Sequence, residues 1–325
     1  MGDPRHTTAL LDPAKPPEAS SPPERASLAA NLSTAASIGR LHIVAIAAMG
    51  CLTFGWIFTG RYYFGIAAIC GLDWFIVNLL NRAVDLPEDR ANAIRGTNFV
   101  ARHRQAVLWV GFGALGLSLA LVALWEPALT PFRIGGHLLG LSYNWPIFPG
   151  GRRLKELYFF KNTASATGFM ITVFGYPLSV AALGKSSPGL APDITLATVL
   201  ISGLFFFLFE LSYEVIYDLR DAPGDAAAGV RSYPVAHGER GAVRIIDALL
   251  ASSVLVLLGG YLASLVPWRL AILFAAPVIQ LFLYKRLLRK GITSAHCIGI
   301  TWLGVALLAT YHLWELLGLP GSQGG

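Results

Sequence analysis

Two short acidic segments carry the residues best suited to chemistry. Asp85-Leu-Pro-Glu-Asp89 and Asp221-Ala-Pro-Gly-Asp225 share the pattern Asp-x-Pro-x-Asp. Asn81 stands one helical turn before Asp85, and Glu210, Glu214 and Asp218 climb at similar spacing towards Asp221, so each group lines its oxygens along one helix stripe. Carboxylates this close raise one another's pKa unless a cation sits among them. The donors are all oxygens, with no His or Cys at comparable spacing, which favours a hard cation. Mg²⁺ takes one or two carboxylates and completes its shell with water and substrate phosphate. Two such clusters suggest two metal positions facing one diphosphate. Pro87 and Pro223 are expected to break their helices and let Asp89 and Asp225 fold back towards the acids before them. The plainer alternative is that these acids are solvated end residues paired with neighbours, Asp89 with Arg90 or Asp221 with Arg220. Two clusters with the same pattern on one side of a membrane favour the metal reading.

The elements that must position these acids are membrane helices. The chain has 325 residues, 54% hydrophobic and only 14% charged, and a mean hydropathy of +0.57. Apolar runs at about 42–59, 62–80, 106–125, 128–148, 160–183, 194–217, 244–265, 267–284 and 296–318 are each long enough to span a hydrocarbon core of about 30 Å. The expected fold class is therefore all-α, a polytopic bundle of about nine transmembrane helices. Loops 81–105, 149–161, 218–244 and 284–294 hold 5, 4, 4 and 4 basic residues, whereas the intervening loops and their margins hold only Arg61, Arg133, Lys185 and Arg269. That alternation predicts a cytoplasmic N-terminus and an outer C-terminus, with both acidic clusters on the cytoplasmic side. The net charge of +6 then reflects topology, and no nucleic-acid partner is expected. Residues 1–36, rich in Pro, Ser and Ala without an apolar core, are expected to be a disordered cytoplasmic tail rather than a signal peptide, leaving 37–325 as one membrane domain. Cys51, Cys70 and Cys297 are scattered through the spans and read as buried, inert thiols.

With these motifs in place, residues of about 40–318 resemble the UbiA superfamily of intramembrane prenyltransferases. The first family motif, Asn-x-x-x-Asp-x-x-x-Asp, is present as Asn81, Asp85 and Asp89. The second is present as Asp221, Asp225 and Gly229, preceded by Tyr217-Asp218 and followed by "VRSYPVAHG". Between them, "LSYNWPIFPGGRRLKELYFFKN", 141–162, looks like the family's Tyr-Ser-x-Pro stretch with its downstream basic residues.

The resemblance implies an enzyme that holds prenyl diphosphate at the cytoplasmic end of the bundle through Mg²⁺, with two ions expected. Asn81, Asp85 and Asp89 would hold one ion and Asp221 and Asp225 the other, with Glu214 and Asp218 as neighbours. Lys155, Lys161, Arg231 and Arg95 stand where diphosphate-binding residues are expected, and Tyr143, Tyr213, Tyr217 and Trp74 are the expected pocket residues. Phe75 and Phe169 join Trp74, Tyr143 and Tyr213 as aromatic faces able to stabilise an allylic cation. The implied reaction is transfer of a prenyl group, expected to be farnesyl, to a small aromatic acceptor with release of pyrophosphate. The implied location is the inner (plasma) membrane of a bacterium. Arg82 replaces the acid common after the asparagine, Glu214 stands where Asp is common, and 90–99 lacks the usual Arg-Pro pair, which leaves the part played by Arg95 open. Arg82 and the Pro-rich N-terminus resemble aurachin-type quinoline farnesyltransferases and suggest a 4-hydroxyquinoline acceptor. An acceptor-free terpene cyclase would keep the same metal site. A secondary transporter would place its acids near the bilayer midplane, and a CDP-alcohol phosphotransferase would need an Asp-Gly-x-x-Ala-Arg stretch that the chain lacks.

Overall fold

The computed structural model describes residues 28–158 and 160–319. Among them the ordered elements are helices, in the order α1 (Leu28–Ile38), α2 (Leu41–Thr59), α3 (Phe64–Val84), α4 (Leu86–Ala91), α5 (Thr97–Arg102), α6 (Arg104–Trp125), α7 (Thr130–Asn144), α8 (Phe160–Leu183), α9 (Leu196–Ala227), α10 (Tyr233–Leu262), α11 (Trp268–Leu288) and α12 (Ser294–Leu316). Eight of them are long and apolar enough to cross a membrane. The expected fourth span, 128–148, is instead the 15-residue α7, shorter and interrupted by Arg133 and His137. Of the expected tail, residues 28–36 lie in α1, and the remainder falls outside the described residues.

Outward faces carry exposed apolar side chains such as Trp109, Leu124, Leu262 and Phe282. Backbone groups satisfied within helices and an apolar exterior are what a hydrocarbon solvent demands. The inner faces pack into one large cluster around Phe54, Phe58, Phe174 and Phe205 and a second around Val215, Ile246 and Tyr284. Cys51, Cys70 and Cys297 are buried and unpaired by disulfides.

Arg133 is not a loop charge. It is fully buried inside α7 and forms a fork on Asp73 of α3, donating through Nε at 2.8 Å and Nη2 at 2.5 Å. His137 Nε2 at 3.0 Å and the Tyr176 hydroxyl at 2.7 Å complete the shell of the same carboxylate. A charge inside a membrane domain is tolerated where a partner neutralises it, and this network joins α3, α7 and α8. Arg269 is likewise paired, with Asp193.

The two prolines behave differently. The N–H of Asp85 still bonds to Asn81 O at 2.9 Å, closing α3, and Pro87 then occupies the first turn of the separate helix α4. The expected break is present there. Pro223, by contrast, lies inside continuous α9, so the second acidic segment does not fold back. Its acids remain on one stripe: Glu214, Asp218, Asp221 and Asp225 are spaced by four, three and four residues. Only one backbone donor is lost at a proline, and the break is avoidable when the rest of the helix is held by packing, here along α10. A π-helical stretch, Met170–Gly175, interrupts α8 just before Pro177 and turns Thr172 to accept from Trp74 Nε1 at 2.9 Å.

Candidate active site

The helices enclose a cavity of about 1030 Å³. It extends along α12 from Ser294 to Glu315, a path of about 30 Å at 1.5 Å per residue. Both acidic segments line its α4 end.

On the α3–α4 side Asn81, Asp85 and Asp89 all reach the cavity wall and are mostly buried, at 8%, 8% and 5% exposure. Lys155, on the segment between α7 and α8, donates to Asp85 at 2.7 Å and also to Glu88. Arg153 Nη1 donates to Glu88 at 2.7 Å, and its Nε donates to Glu156 at 2.5 Å. Asp89 accepts from Arg82 Nη1 at 2.8 Å, with Arg40 at 3.9 Å. Arg82 therefore does not compete for the cavity. It is fully buried, and its other end donates to the carbonyl of Arg95 at 2.7 Å. Gly96, at φ +85°, makes the turn that delivers this carbonyl; a Cβ there would fall 2.6 Å from Ile38 Cγ1.

Burial dominates Asp85, pushing its carboxyl up to about 6 against the pull of Lys155. Burial also raises Asp89, outweighing Arg40 and Arg82. For Glu88 the same burial is overcome by Lys155 and Arg153, which hold it below the usual carboxylate range. Neighbouring acids thus differ according to how many cations each one touches.

On the α9 side Lys161 of α8 bridges Asp218 at 2.6 Å and Asp225 at 2.5 Å. Asn162 Nδ2 donates to the second oxygen of Asp218 at 2.8 Å, and Ser165 donates to Glu214 at 2.6 Å. Asp221 accepts from Arg220 Nε and Nη2 at 2.7 and 2.5 Å, which is the local pairing that the plainer sequence reading supposes. The two sides meet at Gly224: a Cβ at that position would fall 2.2 Å from Asn92 Oδ1, so α9 passes closely beside the end of α4.

The remaining expected residues divide. Tyr143, Tyr213, Tyr217 and Trp74 line the cavity. Tyr217 shares a 2.8 Å hydrogen bond with Thr301 and Tyr213 donates to Ile300 O at 3.4 Å, so both tie α9 to α12. Trp74 stacks on Phe169 with centroids 4.1 Å apart. Phe75 packs beneath Gly39, away from the cavity. Arg95 reaches the wall, but its Nη1 donates to Ser33 at 2.7 Å. Arg231 lies outside the cavity, exposed, with its guanidinium 5.8 Å above the Tyr158 ring. Sequence reasoning passed over Glu88 and Arg153 as partners of the first cluster, although both stood in the segments singled out. It also missed the Asp73–Arg133–His137 network, for which polar residues within apolar runs were the available signal.

The donor set fits a hard divalent cation. The buried Asn81 Oδ1 has no hydrogen-bond partner, and Asn81, Asp85 and Asp89 present oxygen donors to the cavity wall. Among the described residues no three His, Cys, Asp or Glu side chains form a closed ligand set by themselves.

Comparison with known proteins bears on the family and the fold. The model of the UbiA prenyltransferase family matches residues 40–291. A digeranylgeranylglyceryl phosphate synthase of Methanopyrus kandleri is 36% identical over 80 residues, covering 24% of this chain and only 30% of that relative. Among solved structures, a UbiA homologue from Archaeoglobus fulgidus bound to GPP and Mg²⁺ superposes with a TM-score of 0.65 at 15% identity, over 86% of this chain and 98% of that one. A UbiA homologue from Aeropyrum pernix K1 gives 0.60 at 14% identity, over 85% and 99%. These structures share the fold.

Proposed function

The chain belongs to the UbiA prenyltransferase family, and on that premise we propose that it transfers a prenyl group, a farnesyl chain on our reading, from prenyl diphosphate to a small aromatic acceptor. A 4-hydroxyquinoline is the preferred acceptor, pyrophosphate is released, and Mg²⁺ is the cofactor. The observation that carries this reading is the meeting of the two aspartate motifs at one end of a single long cavity. The A. fulgidus homologue with GPP and Mg²⁺ supports the substrate class. On the same reading it is an integral protein of a bacterial plasma membrane, and the charge pattern supports turning this end of the cavity towards the cytoplasm.

Asn81, Asp85 and Asp89 on one side and Asp221 and Asp225 on the other would hold Mg²⁺. Asp218 holds Lys161 and Asn162 through its two oxygens and Glu214 is held by Ser165, so both would stand behind the ligands, whereas Asp221 would have to turn from Arg220 to reach the metal. When bound, the metal neutralises negative charge on the diphosphate as the allylic C–O bond breaks. Lys155 and Lys161 place ammonium groups beside the same carboxylates and stabilise the departing pyrophosphate. The bonding pair leaves with pyrophosphate, the allylic carbon becomes cationic, and an electron-rich atom of the acceptor closes on it and then loses a proton. The apolar wall excludes water that would otherwise capture the cation. Trp74 and Phe169 offer ring faces of the kind that stabilise such charge.

The test is pyrophosphate release by the purified protein in detergent with Mg²⁺ and farnesyl diphosphate, with and without 4-hydroxyquinolines, hydroxybenzoates and naphthoates. Acceptor-dependent release supports the proposal and identifies the acceptor class. Acceptor-independent release with a cyclic hydrocarbon or alcohol as product would replace it with a terpene cyclase.

A further inference from the structure

Helices α8 and α9 run antiparallel in a fixed register. Lys161 meets Asp218 at 2.6 Å, and Ser165, four residues on, meets Glu214, four residues back, at 2.6 Å. The next step of the same register sets Phe169 opposite Glu210. A phenyl ring offers a carboxyl no hydrogen bond, and Phe169 is already stacked on Trp74. Glu210 lines the cavity, and among the described residues no hydrogen-bond or ion-pair partner reaches it.

A carboxyl without a partner is costly within a membrane span and marks a position where a ligand supplies the missing group. Glu210 stands eight residues, about 12 Å, below Asp218 along α9. That distance removes the diphosphate from consideration, since its place is at the aspartate motifs, and the prenyl chain carries no hydrogen-bond donor. On the reading that the enzyme prenylates an aromatic acceptor, the one remaining reactant with an O–H or N–H to offer is that acceptor.

We propose that Glu210, beside the Trp74–Phe169 stack, is the polar anchor of the acceptor subsite and accepts a hydrogen bond from an acceptor O–H or N–H. The helix register sets the stacked rings opposite this carboxyl, an apolar wall and a polar group that suit a planar ligand with a single polar edge. Glu210 is thus a specificity-determining residue for the acceptor, distinct from the carboxylates that serve the diphosphate.

The experiment compares equilibrium binding of 4-hydroxyquinoline and of 4-methoxyquinoline, which lacks the donor, to the full chain in detergent. The wild-type protein should prefer the donor-bearing probe by about tenfold or more. Glu210→Leu should abolish that preference, and Glu210→Gln, which keeps the shape and a neutral oxygen, should lose about fivefold of it. Mg²⁺-dependent binding of farnesyl diphosphate reports that each variant is folded. No preference in the wild type, or an unchanged preference in either folded variant, overturns the assignment. Turnover is not needed for this comparison. A preference that depends on Glu210, without acceptor-dependent pyrophosphate release, would refute the proposed transfer while leaving the subsite in place.

Discussion

Replacing Lys161 with methionine separates two roles that its geometry combines. Its ammonium sits 2.6 Å from Asp218 and 2.5 Å from Asp225, and the side chain is only 10% exposed. A unit charge about 4 Å from a developing anion is worth about 4 kcal/mol at an effective dielectric of 20. Readjustment of water and neighbouring groups brings the expected loss to about 2–4 kcal/mol, or about 30- to 1,000-fold in kcat. The effect on metal should run the other way. Asp218 and Asp225 lose their cation, the site becomes more negative, and the Mg²⁺ concentration for half-maximal turnover should fall or stay constant. Lys161→Arg restores the charge and should recover at least about tenfold of the loss. A Mg²⁺ titration of pyrophosphate release, at saturating farnesyl diphosphate and acceptor, reads both quantities. The reasoning fails if Lys161→Met keeps kcat within about threefold of wild type. It fails also if the Mg²⁺ requirement rises in step with the lost turnover, because Lys161 would then merely hold the metal site together.

Asp85→Ala and Asp221→Ala should each abolish turnover while eluting from size-exclusion as the wild type does, and EDTA should stop the wild-type reaction until Mg²⁺ is restored; near-normal activity in either variant would remove the metal assignment. With the Asp85 carboxyl near 6, protons compete with metal, so the Mg²⁺ requirement should rise by about tenfold per unit below pH 6, and a flat titration between pH 5 and 6 would contradict this. The sign for stability is opposite: a carboxyl raised by burial favours the protonated folded state, so its contribution to metal-free stability is full below pH 3.8 and is lost as pH rises through about 6, visible as a falling Tm that Mg²⁺ reverses. Asp73→Leu leaves the fully buried Arg133 without its counter-ion and should cost about 3–5 kcal/mol, whereas the Asp73→Leu/Arg133→Leu double variant should cost clearly less than the sum of the singles in a thermal-denaturation cycle.

Much of the bundle was legible because lipid imposes a length and a polarity that the sequence must meet. Long apolar runs gave eight of the expected spans directly. The fourth was harder to bound because α7 gives up apolar positions to Arg133 and His137, whose partner Asp73 lies on another helix. No local rule reveals such a pairing. The aspartate motifs were legible from spacing alone, and their convergence in one cavity needed the tertiary approach of α9 to α4 at Gly224. Proline was an uneven guide. Pro87 starts a new helix, while Pro223 is carried within α9, where packing along α10 outweighs a single missing donor. Arg231 was expected near the diphosphate from its position after the second motif, but the turn at 228–232 directs it towards Tyr158 at the surface.

Arg82 illustrates how a departure from the family pattern is absorbed. An arginine beside Asn81 would weaken a metal site if its charge faced the cavity, yet its guanidinium joins Asp89 to the Arg95 carbonyl behind the wall. Each motif acid at the α4 end of the cavity then has a cation beside it: Asp85 has Lys155, Asp89 has Arg82, Asp221 has Arg220 and Asp225 has Lys161. Four like charges buried at the end of an apolar bundle without such pairing would repel one another with no desolvation cost recovered. Each acid instead sits against a cation, and on the proposed function a prenyl diphosphate with Mg²⁺ would bring charge of both signs. On the proposed function the lysines would turn towards phosphate and the carboxylates towards metal, so that the site exchanges partners. That exchange requires Lys155 and Lys161 to be mobile relative to the acids they touch, whereas Arg82, locked on both ends and fully buried, has to stay in place.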